Sequence, residues 1–477
     1  MKTNRVIKIF LASSEELEAD RYRFGNLIRK LDNIYEKRGI RIELFEWEDY
    51  DAAYNGMRKQ DEYNERVRAS DMFLALFHKK AGKFTIEEFN IARKAFDEQA
   101  SPKIYTYIKD LEAGESESRE LAEFKRLMLE ELGHYWCRYS NFDTMQLHFV
   151  LQLQMVEATT PIKVEVKESQ VKIGDSTIAD LNNVPFTSEN ATHRELQSRK
   201  EQLDREIGNA ESGGRRGFFG QRSRMTDEEL ANLREERESV TEQIERQEKA
   251  LVDTAMSIAR MQGGECSPRM RTAAELFEKG EIDKAEAVLK EDDMEADATN
   301  AKLKFDTAAQ PTAELTRNIE RCAGEYMLKA RIVVSGIADE SRYRQAVKLM
   351  STAIDLVSGR LPEETLAEYL FDYAVLLTDT GQQTKALETW ERLSGIYERL
   401  YRKAPQKYAY GYAGVLNNMA VLYSDKGDFD HCLSKYLKAI DIYDWLDREE
   451  PGIYDDDIAR LKNNLGTLYS DRDEYNK

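Results

Sequence analysis

The chain is poor in the residues that would assign it most directly. Of 477 residues, four are cysteine, five are histidine and eight are proline. Cys137, Cys266, Cys322 and Cys432 stand far apart and form no CxxC pair. That spacing excludes a zinc ribbon and suits a reducing, cytoplasmic setting. The histidines are scattered without an HExxH, so no metal site is expected. No GxxxxGK[ST] loop is present, which leaves no recognisable ATPase module. No apolar run is long enough to cross a bilayer and the N-terminus lacks a signal-peptide pattern, so no membrane partner is expected. Positive charge is in deficit too. The 70 Lys and Arg against 89 Asp and Glu leave a net charge of -19, which argues against a nucleic-acid partner. What is plentiful is charge in total, 33%, with 10% aromatics. This is the composition of a globular chain, long enough for about three domains.

Within the first 157 residues, strand and helix patterns alternate. Val6–Ala12 reads as a strand. Ser13 and Glu16 fit a capping box ahead of a helix with Leu17, Phe24, Leu27, Ile28, Leu31 and Ile34 on its inner stripe, stopped at Gly39. Arg41–Trp47 reads as a second strand, and an acidic turn, 48–51, follows it. A helix from about Gln60 to Ala69 comes next. Met72–Phe77 (MFLALF) is a continuous apolar run of strand length, as expected of a strand buried on both faces. A loop with Lys79, Lys80 and Lys83 leads to Thr85-Ile86-Glu87-Glu88-Phe89, which opens a helix with Phe89, Ala92 and Phe96 at helical spacing. Lys103–Ile108, a helix around Leu121–Leu132, a short strand at Tyr135–Tyr139 and a helix over Asp143–Val156 complete the domain. The alternation predicts an α/β fold with a parallel sheet. Ligand sites in such sheets lie outside the carboxyl ends of the strands, which puts Glu87 and Glu88 near one.

The order and spacing of four of these patterns resemble the TIR and TIR-like family: FLASS at Phe10–Ser14, the acidic connection from Asp49 to Gly56, RASDMFLALF at Arg68–Phe77, and the loop leading to Glu87-Glu88-Phe89. The resemblance implies a flavodoxin-like sheet. It implies also, as in the family's enzymes, cleavage of NAD+ between nicotinamide and ribose, with NAD+ as substrate and no further cofactor. Glu88, directly before a large apolar residue, matches the family's catalytic glutamate, and Glu87 is second. A carboxylate suits this reaction, since loss of nicotinamide leaves oxocarbenium-like charge on the ribose. Phe10, Ser13 and Ser14 would line the first strand-to-helix turn, and Trp47, Asp49 and Tyr50 the end of the second strand. A structural alternative stands beside this: Thr85-x-x-Glu88 also fits a capping box, in which Glu88 bonds the Thr85 backbone.

The remainder changes character. Residues 158–190 contain an alternating stretch, Ile162–Ile173, expected to form a β-hairpin linker, with Asp175–Asn190 irregular. Residues 191–260 carry two charged helical segments. Leu196, Leu203 and Ile207 space one, and Leu233, Val240, Ile244 and Leu251 the other at heptad spacing, so an antiparallel coiled-coil hairpin is expected. Its tip holds Phe218 and Phe219 among arginines.

From 265 to 477 the chain repeats. Ala374–Gly381 (AVLLTDTG) recurs as Ala420–Gly427 (AVLYSDKG), 46 residues on, and Gly466–Asp471 (GTLYSD) stands 46 residues further. Ala386 and Cys432 share the same offset. A constant offset with matched residue types marks a helical repeat, and the pattern resembles tetratricopeptide repeats. Leu276–Leu289 and Ala330–Ile354 are expected to be degenerate units, and the tyrosines of the region to pack between helices. Such an α-solenoid binds protein partners, and the half-repeat at 466–477 calls for a covering partner or further chain. Together the resemblances imply a regulated NAD+-cleaving effector of bacterial antiphage defence that self-associates through its first domain and senses a protein through its repeats. The alternative is a non-enzymatic signalling adaptor that self-associates and recruits.

Overall fold

A computed structural model describes residues 5–37, 39–45, 59–131, 136–156, 164–212, 226–261, 266–336, 339–449, 452 and 454–471. By its contacts the chain divides into two units, Met1–Leu153 with Lys163–Pro185, and Gln154–Ile162 with Phe186–Lys477.

The first unit is a five-stranded sheet with helices. In chain order its elements are β1 (Arg5–Ser13), α1 (Glu18–Glu36), β2 (Ile40–Phe45), α2 (Lys59–Arg68), β3 (Met72–Phe77), α3 (Lys83–Gln99), β4 (Lys103–Lys109), α4 (Arg119–Arg126), β5 (Trp136–Tyr139) and α5 (Phe142–Val156). Every pairing is parallel and the spatial order is 2-1-3-4-5. This is the flavodoxin-like order, whose direction reverses between β1 and β3. All six residues of β3 are fully buried, because it pairs with β1 on one side and β4 on the other and carries no polar side chain. Phe10, Phe73, Phe77, Phe89 and Phe124 form the core on one side of it. Phe89 meets Phe124 edge-on at 5.0 Å between ring centroids.

Local details differ from expectation at several points. The Ser13–Glu16 capping box is not formed. A 3-10 turn over Glu15–Leu17 comes first and α1 starts at Glu18. Helix α3 starts at Lys83, two residues ahead of Thr85, and its first turn is closed by Ile86 N–H to the Gly82 carbonyl at 3.0 Å. Its buried stripe is Thr85, Glu88, Phe89, Ala92 and Ala95, and Phe96 is 44% exposed. Helix α4 widens into a π turn over Leu127–Glu131. In place of a two-stranded hairpin, β6 (Glu165–Lys167), β7 (Gln170–Ile173) and β8 (Ser176–Asp180) form an antiparallel meander. The third strand uses residues read as irregular, with Ile178 and Ala179 buried.

The second unit is helical. After a short α6 (Pro185–Ser188), α7 (Ala191–Ser212) and α8 (Asp227–Met261) pair antiparallel. Leu203, Val240 and Ile244 form their seam, flanked by Leu196 and Leu233. Arg237 bonds Asp204 across it at 2.9 Å. The tip at 213–225 lies outside the described residues. The solenoid follows as α9 (Pro268–Glu278), α10 (Ile282–Val288), α11 (Glu291–Thr307), α12 (Ala313–Ser335), α13 (Glu340–Val357), α14 (Glu363–Asp379), α15 (Gln383–Lys403), α16 (Pro405–Asp425), α17 (Phe429–Glu449) and α18 (Asp455–Asp471). No described helix is long and apolar enough to cross a membrane.

The recurring glycine explains the repeat. Gly381 and Gly427 have φ of +68° and +71°, and each ends its helix the same way. The N–H one residue beyond the glycine bonds back five residues: Gln382 to the Leu377 carbonyl and Asp428 to the Tyr423 carbonyl, both 2.9 Å. The degenerate α9–α10 unit keeps this turn, with Gly280 at φ +78° and Glu281 bonded to the Leu276 carbonyl at 2.9 Å. These are Schellman caps, which favour glycine because an L side chain is strained at positive φ. Ala386 and Cys432, the matched small residues, are fully buried. Tyr410, Tyr443 and Tyr454 pack on one another between helices, with centroids about 6 Å apart.

Nothing stands within 4 Å of a Cβ built on Gly381 or Gly427, so substitution there strains the backbone alone. Gly381→Ala and Gly427→Ala are each expected to cost about 1 kcal/mol, read as a lowered urea midpoint at unchanged slope.

Candidate functional site

β3 is apolar throughout, and a polar network lies beyond the carboxyl ends of the strands. At the end of β1, Ser13 is half-buried and Ser14 is buried. The Ser13 hydroxyl accepts from Nη1 of Arg21 at 2.9 Å, and the same nitrogen donates to the Ser14 carbonyl at 2.8 Å. Arg21 is 1% exposed, so its charge acts in a low dielectric and holds the β1–α1 turn strongly. The Ser14 hydroxyl donates to Oε1 of Glu16 at 3.2 Å. That oxygen also accepts the Lys79 backbone N–H, 63 residues away, at 3.1 Å. Glu16 is therefore a bridge between the turn after β1 and the loop after β3. This is the bond that replaces its expected role as a helix cap.

The network continues across the sheet. Asp20, buried in α1, accepts from Lys109 at 2.9 Å and from the Tyr139 hydroxyl at 3.0 Å, which joins the ends of β4 and β5 to α1. Burial, reinforced by Asp20, pushes the Tyr139 phenol far above its ordinary range, so it stays a donor. Lys79 pairs with Glu115, and His78 Nε2 lies 3.4 Å from the same carboxyl. The bond to Lys79 holds the Glu115 carboxyl below the usual glutamate range. The backbone N–H of Glu112 adds to this, and partial burial opposes it.

The expected site residues fall into three groups. Glu88 is 7% exposed and lies on the buried stripe of α3, in line with Thr85 and Ala92. Thr85 sits inside the helix rather than at its cap, so the Thr85–Glu88 capping box is absent. Glu87 faces α2, where its Oε1 accepts from Asn64 Nδ2 at 3.3 Å. Ser13 and Ser14 reach the carboxyl edge, already bonded as described. The Phe10 side chain is committed to the core: it is 2% exposed and stacks on Phe73 with centroids 5.9 Å apart. It therefore presents no surface to a ligand. Trp47, Asp49 and Tyr50 lie outside the described residues.

Arg21, Asp20 and Tyr139 escaped the sequence reading. Arg21 did leave a signal, since it lies between Leu17 and Phe24 on the apolar stripe of α1. A charge at such a position marks a buried partner. Among the described residues no group of three or more His, Cys, Asp or Glu is arranged to hold a metal, and the four cysteines are unpaired.

No protein-family model and no curated protein matches the chain. Among solved structures, BtubC (BKLC) from P. vanneervenii aligns over 59% of this chain and 85% of its own, at 16% identity and a TM-score of 0.29. A signal transduction ATPase with numerous domains from Pyrococcus horikoshii, bearing a tetratricopeptide repeat sensor, aligns over 92% of this chain and 81% of its own, at 11% identity and 0.23. Scores this low carry no argument, and the functional reading rests on the chain's own residues.

Two outcomes follow from this geometry. Phe10→Ala is expected to cost about 3–5 kcal/mol in denaturant unfolding, the price of a core phenylalanine. Glu115 is expected to titrate by NMR below an ordinary glutamate and to rise toward it in Lys79→Met. Since its folded pKa is depressed, its stabilisation of the loop is full above the unfolded value and is lost as pH falls through the folded one.

Proposed function

We propose that the first unit is a TIR-like NAD+ hydrolase, with Glu88 as the catalytic carboxylate, and that the repeats govern it by binding a protein. The observation that carries this reading is a buried glutamate in the second turn of the helix after β3, beside the point where the strand order reverses. A carboxylate there would face the ribose as nicotinamide departs and stabilise the oxocarbenium-like charge. Ser13 and Ser14 would offer hydroxyl and backbone groups to the phosphates or ribose once their bonds to Arg21 and Glu16 exchange. Trp47, Asp49 and Tyr50 remain the proposed base-side contacts. The low exposure of Glu88 fits a site completed on assembly, so self-association through this unit and release by a repeat-bound partner belong to the proposal. A cytoplasmic setting and a role in antiphage defence belong to it as well.

A second reading has its own observation. Glu16, Arg21 and Asp20 already saturate much of the carboxyl edge, which suits a non-enzymatic adaptor that only associates and recruits. One experiment separates the two. Purified full-length protein, over a range of concentrations, is incubated with NAD+ and nicotinamide is quantified by chromatography. The enzyme reading expects release that rises with assembly and falls at least about a hundredfold in Glu88→Gln, with the thermal melt of the variant retained. Equal release by the variant removes Glu88 from the reaction. No release by the wild type in any assembly state leaves the adaptor.

A further inference from the structure

Helix α11 packs on α12 through a narrow strip, Met294, Ala298 and Ala301, and its opposite side is bare. Along that bare side run two shallow concavities. One, about 520 Å³, lies between α10 and the start of α11. The other, about 550 Å³, continues along α11 to Leu303, and Asp292 belongs to both. Leu303 is 62% exposed, with Ala296 exposed two turns before it on the same stripe.

Once internal pairs are set aside, the charges of this furrow are three carboxylates against one ammonium, a net negative balance. Lys329, at its floor, is already spent, since its ammonium donates to the Leu289 carbonyl at 2.7 Å and lies 3.4 Å from Glu291. Glu286 is paired with Arg342 at 2.7 Å. Asp283, Asp292 and Glu295 have no hydrogen-bond or ion-pair partner among the described residues, and Lys290 is the one unpaired cation lining the furrow. A continuous trough with an exposed leucine at one end and three unpartnered carboxylates along it is complementary to a helix bearing apolar residues on one face and Lys or Arg beside them.

We propose that the bare side of α10 and α11 docks a basic amphipathic segment of a partner protein. The inference deepens the reading of the repeats as a partner-binding array and is independent of the chemistry at Glu88, so failure of NAD+ turnover leaves it standing. The probe is a fluorescein-labelled helical peptide of lysine and leucine at amphipathic spacing, titrated against the full chain at physiological ionic strength. Saturable binding is expected. The triple variant Asp283→Lys, Asp292→Lys, Glu295→Lys should weaken it at least about tenfold, and Leu303→Ser should weaken it severalfold without changing its salt dependence. A control triple on exposed positions of α8, Glu228→Lys, Glu235→Lys, Glu238→Lys, makes the same change in net charge and should alter binding less than about twofold. Equal loss in both triples reduces the effect to bulk charge and overturns the proposal, as does indifference to Leu303→Ser or the absence of saturable binding. Sedimentation of the chain alone covers the remaining occupant. Self-association that disappears in the first triple assigns the face to a second copy instead.

Discussion

A six-residue strand with every side chain buried has no room for chemistry along its length. Met72–Phe77 occupies the middle of the parallel sheet, so any polar group that would meet a ligand is driven to its ends. At the carboxyl end, the strand-order reversal separates the turn after β1 from the helix after β3 and opens the space that this architecture uses for ligands. Ser13 and Ser14 are at this edge because the interior of the sheet excludes them, and Phe10, earlier on β1, joins the core instead.

What fills the edge is a polar network that combines local bonds in the β1–α1 turn with bonds between residues far apart in the chain. Arg21 secures the β1–α1 turn, Glu16 joins that turn to the loop after β3, and Asp20 gathers Lys109 and Tyr139 from two further strands. Of these, Asp20 with Lys109 is a charge pair on a buried carboxylate, costly to separate because breaking one partner leaves the other uncompensated. The network therefore serves as a brace for the turn that carries Ser13 and Ser14. Their rearrangement would need a compensating ligand or a new contact. In the solenoid the brace is of another kind: a left-handed glycine closes α9, α14 and α16, and a small residue, Ala386 or Cys432, is buried in the helix after α14 and α16.

The architecture was legible wherever it depends on neighbours along the chain. The apolar run of β3, the heptad seam of α7 and α8 and the 46-residue recurrence of the repeats each follow from local periodicity, and each appears in the structure. One detail misled because a local motif competes with a distant partner, and others because the start or the buried face of a helix was shifted. Ser13 with Glu16 reads as a cap, yet Glu16 bonds Ser14 and Lys79. Thr85 with Glu88 reads as a cap, yet the helix begins two residues earlier. Phe96 has helical spacing, yet Ala95 takes the buried position beside it.

By itself the sequence determined the strands and helices of the parallel sheet, their order, and the turn geometry of the repeats, since these are set by periodicity and by the φ each residue tolerates, while the third strand of the small meander was not among them. Only the tertiary structure decided which polar groups meet. Glu16 finds Lys79 across 63 residues, and Asp20 finds Lys109 across 89 and Tyr139 across 119. Those separations are spanned by the strand order of the sheet, and no pattern along the chain records which strand ends will lie side by side.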